Sequence, residues 1–446
     1  MLGEKQGRDL VQRVLALSRA AEQTEVAVYS DDSSLTRFAN NEIHQNVAER
    51  DCMVVIKAIV GRRFGLGTTN DLSDTGLQAA IDQAIASANV LPDLEEFLPV
   101  PGPQEIPEAG GFSIATAEFG PLQRAAGVRV ICERAKEHGL IAAGAFRTDL
   151  ASRTVGNSQG LLAHHQTTTA DLMTVIMSPD SSGYSAQISV DVADVNPEAV
   201  ANEALWKAQR GKNPQGLPAG EYEVVLESYA VGDMLDFLSY MGFGALAVQE
   251  GRSFMTGKLG QRIMGPNISI WDDGLDPAGM VRPFDFEGIP KQRVNMITNG
   301  IAVSPVYDRR TAVKDGKKTT GHALSSGSTI GPLPFNMFMG AGTATREQLI
   351  SSVKKGLLIT RFWYTRVVHP LTVTMTGMTR DGCFLIENGE IVAPVKNLRF
   401  TQSYLEALNN VDLIGRDTKL VRDQAAANRV PDLKIARWAF TGTTEY

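Results

Sequence analysis

Two carboxylates on one predicted helix are the first residues whose types and spacing could support chemistry. A helical pattern covers Tyr229 to Met241, and Asp233 and Asp236 lie three positions apart on one face of it. Carboxylates suit hard cations, but two of them without a neighbouring imidazole would form a weak site at best. We therefore interpret the pair as an exposed acidic helix face.

Imidazole and thiol groups, which could act as bases, nucleophiles or metal ligands, are scattered along the chain. His164 and His165 are adjacent in a predicted strand, so their rings point to opposite faces; we expect both to be exposed. Cys383 lies in a predicted strand with no His beside it, and we interpret it as a small buried side chain. His322 follows a glycine in a predicted loop and could face a central cavity.

The most unusual polar and aromatic run follows a buried-strand pattern, Gly356 to Thr360. Its members that could contact a peptide or another subunit are Arg361, Phe362, Trp363, Tyr364 and Arg366. Arg and large aromatic residues dominate binding hot spots, which favours such a contact. In a strand, however, alternate residues could instead enter the core, and the sequence leaves both interpretations open.

The element that follows this run is a predicted hairpin. Cys383 to Glu387 and Glu390 to Val395 are strand-like and flank Asn388-Gly389, the pair that best tolerates positive φ in a type I′ turn.

Composition limits the classes of function. The 446 residues carry 43 Lys and Arg against 50 Asp and Glu, a net charge of −7, which disfavours a general nucleic-acid binder. The three cysteines lack Cys-x-x-Cys spacing, which fits a reducing cytoplasm and excludes a thiolate zinc site. No apolar run is long enough to span a bilayer, so we expect a cytoplasmic protein without a membrane partner.

The predicted fold class is α+β, with two domains that each carry an antiparallel or mixed sheet with helices packed on one face. Residues 1–215 show helix, meander and helix, repeated, with strands interrupted at Asp31-Asp32. Residues 220–446 are predicted to form a mixed, β-rich domain. The Gly- and Pro-rich segment from Gly211 to Gly220 is the predicted boundary.

Several motifs together resemble the TldD/PmbA family, also called TldD/TldE and historically "modulator of DNA gyrase". They are the TRFANNEIHQN segment at 36–46, NSQG at 157–160, PFDFEGIP at 283–290, TGHA at 320–323, GLLIT at 356–360 and the TGMTRDGCFLIENGEIVAPV segment at 376–395. The resemblance spans nearly the whole chain.

The resemblance also implies what is missing. Catalytic members carry an HExxxH helix after a VVL strand, and two imidazoles with a distant thiolate hold zinc there. In this chain the three motif positions are occupied by Asp236, Phe237 and Met241, and the tail from Val411 to Tyr446 contains no Cys. The resemblance therefore implies a chain with no metal, no cofactor and no catalytic residues of its own.

This pattern is that of the metal-free TldE/PmbA-like branch. The resemblance implies a non-catalytic subunit that pairs with a zinc-bearing TldD-like paralogue, or with itself, and handles small or unfolded peptides. Two alternatives stay open: a hydrolase with an unrecognised site built from His322, Cys383 or the Asp pair, and a homodimeric peptide-binding module without a protease partner.

Overall fold

The computed structural model describes residues 2–422 and 427–443, in which the chain forms two sheets with helices packed on them. The fold class predicted from the sequence, α+β with two sheet-containing regions, is confirmed. The elements of the first region are α1 (Glu4–Leu17), β1 (Gln23–Ala39), β2 (Glu42–Val60), β3 (Arg63–Thr69), α2 (Asp74–Val90), α3 (Ile114–Ala117), α4 (Pro121–Glu137), β4 (Ile141–Asn157), β5 (Leu162–Met177), β6 (Ser182–Ser189) and α5 (Pro197–Arg210).

The first sheet has the order β3-β2-β1-β4-β5-β6 and is antiparallel throughout. Helices α1 and α2 pack on one half of it and helices α4 and α5 on the other, each pair over its own apolar cluster. Short turns join the strands within each of the two halves, β1 to β3 and β4 to β6, which makes those pairs antiparallel. The two halves meet at β1 and β4, which are far apart in sequence and also pair antiparallel.

Strand β1 of this sheet is longer than the sequence predicts. The predicted interruption at Asp31-Asp32 is wrong, because β1 continues through both residues and pairs with β2 and β4 on its two edges. Asp32 forms an ion pair with Arg50 on β2 at 2.8 Å. Pairing on both edges therefore outweighs the turn preference of two adjacent aspartates.

The second region carries the aromatic run and the acidic helix. Its elements are β7 (Gly220–Leu226), α6 (Ser228–Leu238), α7 (Ala245–Gln249), β8 (Ile270–Asp272), β9 (Val294–Thr298), β10 (Ile301–Ala302), α8 (Arg309–Lys314), β11 (Met337–Met339), α9 (Arg346–Ser351), β12 (Lys355–His369), β13 (Thr374–Glu387), β14 (Glu390–Pro394), β15 (Leu398–Ser403), α10 (Tyr404–Asn409), β16 (Val411–Arg422) and β17 (Ala427–Thr443).

Five of these strands close into a ring. β17, β15, β13, β12 and β7 pair in that order, and β7 pairs again with β17. The pairing of β7 with β12 is parallel and involves only Gly356 to Ile359 of β12. The interior of the ring is apolar and includes Phe362, whose ring stacks on Trp438 and packs at a tilt against Phe400.

Helix α6 lies against β12 and β17. Its buried residues Ala230, Val231, Met234, Leu235 and Leu238 follow the spacing of an amphipathic helix that faces a core. A π-helical turn, Ser239–Phe243, follows directly. Such turns are frequent at functional sites, and this one changes the direction in which the residues after Leu238 point.

The predicted turn between β13 and β14 is confirmed. Asn388 and Gly389 have φ of 51° and 82°, and Glu387 pairs with Glu390 across a two-residue loop. The hairpin thus forms as the local sequence dictates.

The segment between α5 and β7 contains the predicted boundary. It forms backbone hydrogen bonds with the end of β14, from Gln215 N to Pro394 O and from Lys396 N to Gln215 O. A division into domains at residues 215–220 remains a proposal. Across the two described ranges, no helix combines the length and the apolarity needed to cross a bilayer.

Candidate functional site

Asp233, the first carboxylate of the predicted acidic pair, is buried. It is only 4% exposed, and its carboxylate accepts hydrogen bonds from Thr365 Oγ1 at 2.8 Å and from Tyr404 Oη at 2.6 Å. The interpretation of an exposed acidic face is therefore wrong for this residue. The neighbouring Gly232 explains the burial, because a Cβ there would lie 2.4 Å from Val421, so α6 packs closely on β16.

The three positions that correspond to the HExxxH motif do not form a ligand set. Asp236 is half-buried and accepts a hydrogen bond from Asn428 Nδ2 at 2.5 Å, and Phe237 packs edge-on against Tyr404. Met241 is buried in the π-helical turn, outside helix α6. One carboxylate, one phenyl ring and one thioether do not fit zinc, which takes thiolate, imidazole and carboxylate ligands.

No alternative ligand cluster is present elsewhere in the described ranges. Within residues 2–422 and 427–443, no group of three or more His, Cys, Asp or Glu side chains could hold a metal ion.

The aromatic run on β12 divides between the core and the surface. Phe362 is 6% exposed and packs on Phe400 and Trp438, with ring centroids 4.6 and 5.0 Å away. It therefore packs in the core, and it also contributes to the wall of the cavity described below. The strand period explains this, since the neighbours of an inward residue point outward.

Arg361 is held by a carboxylate and by aromatic rings. Its Nε donates to Asp381 Oδ2 at 2.7 Å, and a second guanidinium N–H group donates to the same oxygen. The guanidinium lies 4.1 Å from the ring centre of Tyr184 and 5.2 Å from that of Trp363. Asp381 Oδ1 accepts a hydrogen bond from Ser182 Oγ on β6, so the same carboxylate joins the two sheets.

Trp363, Tyr364 and Arg366 are exposed at an irregularity of the strand. The register slips between Trp363 and Arg366, and Tyr364 has φ of 57° and is 66% exposed. A positive φ is unfavourable for a bulky residue, and such strain is concentrated at functional positions. Arg366 stacks on the Tyr364 ring at 4.2 Å.

A cavity of about 190 Å³ lies between strand β12 and helix α6, the helix that carries Asp236 and Phe237 in place of the metal-binding motif. Its wall comes from β6, α6, β12 and β16, and includes Tyr184, Tyr229, Asp233, Arg361, Tyr364 and Arg422. The sequence predicted the β12 residues but missed Tyr184, Tyr229 and Arg422. These three lie far from β12 in sequence, and no local pattern indicates that they meet there.

The outer edge of β12 is open beyond this cavity. β7 covers the edge only as far as Ile359, whereas β13 pairs with β12 as far as His369. In the described part of the chain, no strand pairs with the outer edge of residues 361–369. An open strand edge can accept an extended peptide as a further strand.

His322 and Cys383, the other candidates for chemistry, are buried apart from this cavity. His322 Nε2 lies 2.8 Å from Asp272 Oδ1, and both side chains are fully buried. Burial lowers the pKa of His322, and the nearby Lys291 lowers it further. Burial also raises the pKa of Cys383 to about 12. Neither group is therefore an accessible base or nucleophile at neutral pH.

The adjacent histidines on β5 are half-buried, so the expectation that both are exposed is wrong. His164 Nδ1 lies 2.8 Å from Thr154 Oγ1, and burial lowers its pKa. Burial lowers the pKa of His165 to about 4, with contributions from His164 and Arg153. Both rings are therefore neutral at physiological pH.

Family models match two parts of the chain. Residues 219–442 match the PmbA/TldA metallopeptidase C-terminal domain, and residues 24–88 match the PmbA/TldA metallopeptidase domain 1.

Curated relatives agree with these matches. The chain is 24% identical over 449 residues to Metalloprotease PmbA of Escherichia coli O157:H7, covering 94% of this chain and 93% of that protein. It is 28% identical over 230 residues to a Metalloprotease TldD homolog of Haemophilus influenzae, covering 51% of this chain. For the TldD homolog and the other relatives with the strongest matches, the chain spans less than half of the relative's length.

Among solved structures, TldE from Thermococcus kodakarensis superposes with a TM-score of 0.90. The sequences are 19% identical, and the superposition covers 97% of this chain and 100% of that one. At this identity, the likeness establishes a common fold.

Proposed function

Because the chain belongs to the TldD/PmbA family of metallopeptidases, we propose that it is a non-catalytic, TldE-like subunit of a peptide-degrading complex. In this proposal the chain holds an extended, unfolded peptide, and a zinc-bearing TldD-like paralogue cleaves it. The observation that carries the proposal is the set Asp236, Phe237 and Met241 at the motif positions of α6 and the following turn, which does not fit zinc.

The contacts around α6 support a binding role in place of a catalytic one. Asp233 is engaged by Thr365 and Tyr404, and Asp236 by Asn428. These hydrogen bonds connect the helix to β12, α10 and β17. The carboxylates therefore orient the helix.

The open edge of β12 supports the peptide-binding part of the proposal. Main-chain hydrogen bonds to a strand edge are independent of sequence, and the cavity beside the edge accepts a side chain. With about 190 Å³, that cavity has room for one side chain of moderate size. The open edge of β12 meets helix α6 at Thr365, so a peptide bound to that edge would run past α6.

Purification of the tagged chain from its native host tests the partner. We expect it to recover a relative that contains an intact HExxxH helix, and we expect zinc and peptide cleavage to depend on that relative. Recovery of the chain as a homodimer that binds peptides without cleavage would replace the proposal with the homodimeric module. Cleavage by the chain alone would identify a hydrolase.

A second arm uses the reconstituted pair. Tyr364→Ala changes only an exposed side chain at the open edge, whereas Tyr240→Ala changes an exposed aromatic residue in the π-helical turn after α6. We expect the first variant to raise the KM for an unfolded peptide several-fold and to leave kcat unchanged. The second variant is the matched control and should leave both constants unchanged.

A further inference from the structure

The tip of the β12–β13 hairpin concentrates large apolar side chains in solvent. We define the edge segment as residues 361–371, which comprise the outer half of β12 and the start of the turn into β13. Its exposed large apolar residues are Trp363, Tyr364, Val367, Val368 and Leu371. Five exposed large apolar side chains within one short segment indicate a surface that binds another molecule.

Guanidinium groups overlie the aromatic residues of this patch. Arg380 on β13 lies 4.5 Å from the Trp363 ring centre, and Arg366 lies 4.2 Å from the Tyr364 ring centre. Both arginines are exposed. Arg366 Nη1 donates to the Thr365 carbonyl at 2.7 Å, and Arg380 Nε lies 3.9 Å from Asp381 Oδ1. A guanidinium carries five N–H donors, so the remaining ones of each fork can donate to a further carboxylate.

The carboxylates around the edge segment are largely used within the protein. Asp381 is 3% exposed and pairs with Arg361, and Asp233 accepts hydrogen bonds from Thr365 and Tyr404. Asp171 on β5 lies 3.5 Å from Arg422 on β16. On the edge segment and the part of β13 that faces it, residues 374–380, the exposed charged side chains are Arg366 and Arg380, in a chain whose net charge is −7.

This charge disfavours a second copy of the chain as the occupant. A two-fold interface would place this patch, with Arg366 and Arg380, against the same positively charged patch of the second copy. Like charges in contact oppose association, whereas an acidic partner would be attracted.

We infer that the edge segment binds an acidic peptide in extended form, which adds as a strand to the outer edge of β12 and places carboxylates on Arg366 and Arg380. The inference rests on the proposed function and specifies its substrate class. Apolar residues of the same peptide would cover Trp363, Val367 and Val368, so the preferred sequence mixes Glu or Asp with aliphatic residues.

Fluorescence anisotropy with labelled synthetic peptides tests the inference on the full chain. One peptide combines Glu with Val and Thr, a second has Lys in place of each Glu, and a third repeats the acidic sequence with alternate backbone nitrogens methylated. We expect the acidic peptide to bind at least about tenfold more tightly than the Lys peptide, and the difference to shrink as salt screens the charges. Methylation should weaken binding, because it removes donors that strand addition requires.

Charge-reversal variants locate the preference. Arg366→Glu combined with Arg380→Glu should abolish or reverse the preference for the acidic peptide. Because Arg380 Nε lies 3.9 Å from Asp381 Oδ1, the single variant Arg366→Glu, which leaves that pair intact, should also reduce the preference and separates a loss of binding from a loss of stability. Arg50→Glu, which changes an exposed arginine on β2 of the first sheet, is the matched control and should preserve the preference.

Equal affinity for the acidic and Lys peptides would overturn the inference and leave the proposed function standing. The same holds if the double variant keeps the preference for the acidic peptide. Failure of every peptide to bind would instead refute the proposed function.

Discussion

A buried ion pair joins the helix α5 of the first region to the end of β7 in the second. Lys207 Nζ lies 2.7 Å from Glu227 Oε2, with the side chains 1% and 3% exposed. Lys207 also donates to Glu203 Oε1 at 2.8 Å and to the Tyr184 carbonyl at 3.0 Å. Glu227 has a second cationic partner, Arg346 on α9. Lys207→Met removes one charge from this cluster and approximately preserves its volume.

The expected loss of stability follows from burial. Removal of one partner of a buried ion pair costs ~3–5 kcal/mol, because the remaining charge stays desolvated. Arg346 still neutralises part of the Glu227 charge, so we expect a value of about 3 kcal/mol. Arg134→Met is the matched control. Arg134 on α4 pairs at 2.9 Å with Glu198 on α5, the helix that also carries Lys207, but the side chains of Arg134 and Glu198 are 35% and 55% exposed. Such exposed pairs contribute only ~0.2–1 kcal/mol.

Denaturant unfolding of the wild type and both variants at neutral pH measures the two losses of unfolding free energy. In a second experiment, the unfolding free energy of Glu227→Gln is compared with that of the wild type over a range of pH. Burial alone would raise the pKa of Glu227, but Lys207 and Arg346 hold it well below its usual range. A lowered pKa in the folded state gives stability that is present above the unfolded pKa of about 4.3 and is lost as pH falls below it. The deficit of Glu227→Gln should therefore be largest near pH 7 and should shrink below about pH 4.

The reasoning is refuted if Lys207→Met and Arg134→Met lose the same free energy within about 1 kcal/mol. A deficit of Glu227→Gln that grows on acidification would contradict the assigned sign of the pKa change.

Three further predictions concern the core, the turn and the thiols. Phe362→Ala should lower the free energy of unfolding by ~3–5 kcal/mol, since it empties part of an aromatic core; a loss below 1 kcal/mol in denaturant unfolding would place the ring outside the core. Gly389→Ala should destabilise by at least ~1–2 kcal/mol by the same assay, because φ is 82° and a Cβ would lie 2.7 Å from Ser351 O; a neutral effect would exclude this turn geometry. In a thiol-reagent time course at pH 8, the half-buried Cys52 should react before Cys383, whose pKa is raised by burial to about 12; rapid labelling of Cys383 in the folded protein would contradict its burial.

The sequence predicts those features that depend on local preferences. The Asn388-Gly389 turn forms because its two residues tolerate positive φ, whatever surrounds them. The α+β class follows from strands joined by short turns. In contrast, the continuity of β1 through Asp31-Asp32 depends on pairing with β2 and β4, which is a property of the assembled sheet.

The candidate site was predictable only in part, for the same reason. The run on β12 was identified, and strand alternation explains why Phe362 enters the core while Trp363 is exposed. The burial of Asp233 was not predictable, since its partners Thr365 and Tyr404 are more than a hundred residues away. Contacts over such separations leave no signal in a local pattern.

Metal content together with peptide turnover tests the central claim most directly. The purified chain is equilibrated with excess zinc and freed of unbound metal by gel filtration. Its zinc content is then measured by mass spectrometry, and the same method detects cleavage products after incubation with an unfolded peptide. We predict zinc far below one ion per chain and no cleavage, because Asp236, Phe237 and Met241 do not form a zinc ligand set. One zinc ion per chain that is lost in Asp236→Ala, accompanied by chelator-sensitive cleavage, would contradict the claim.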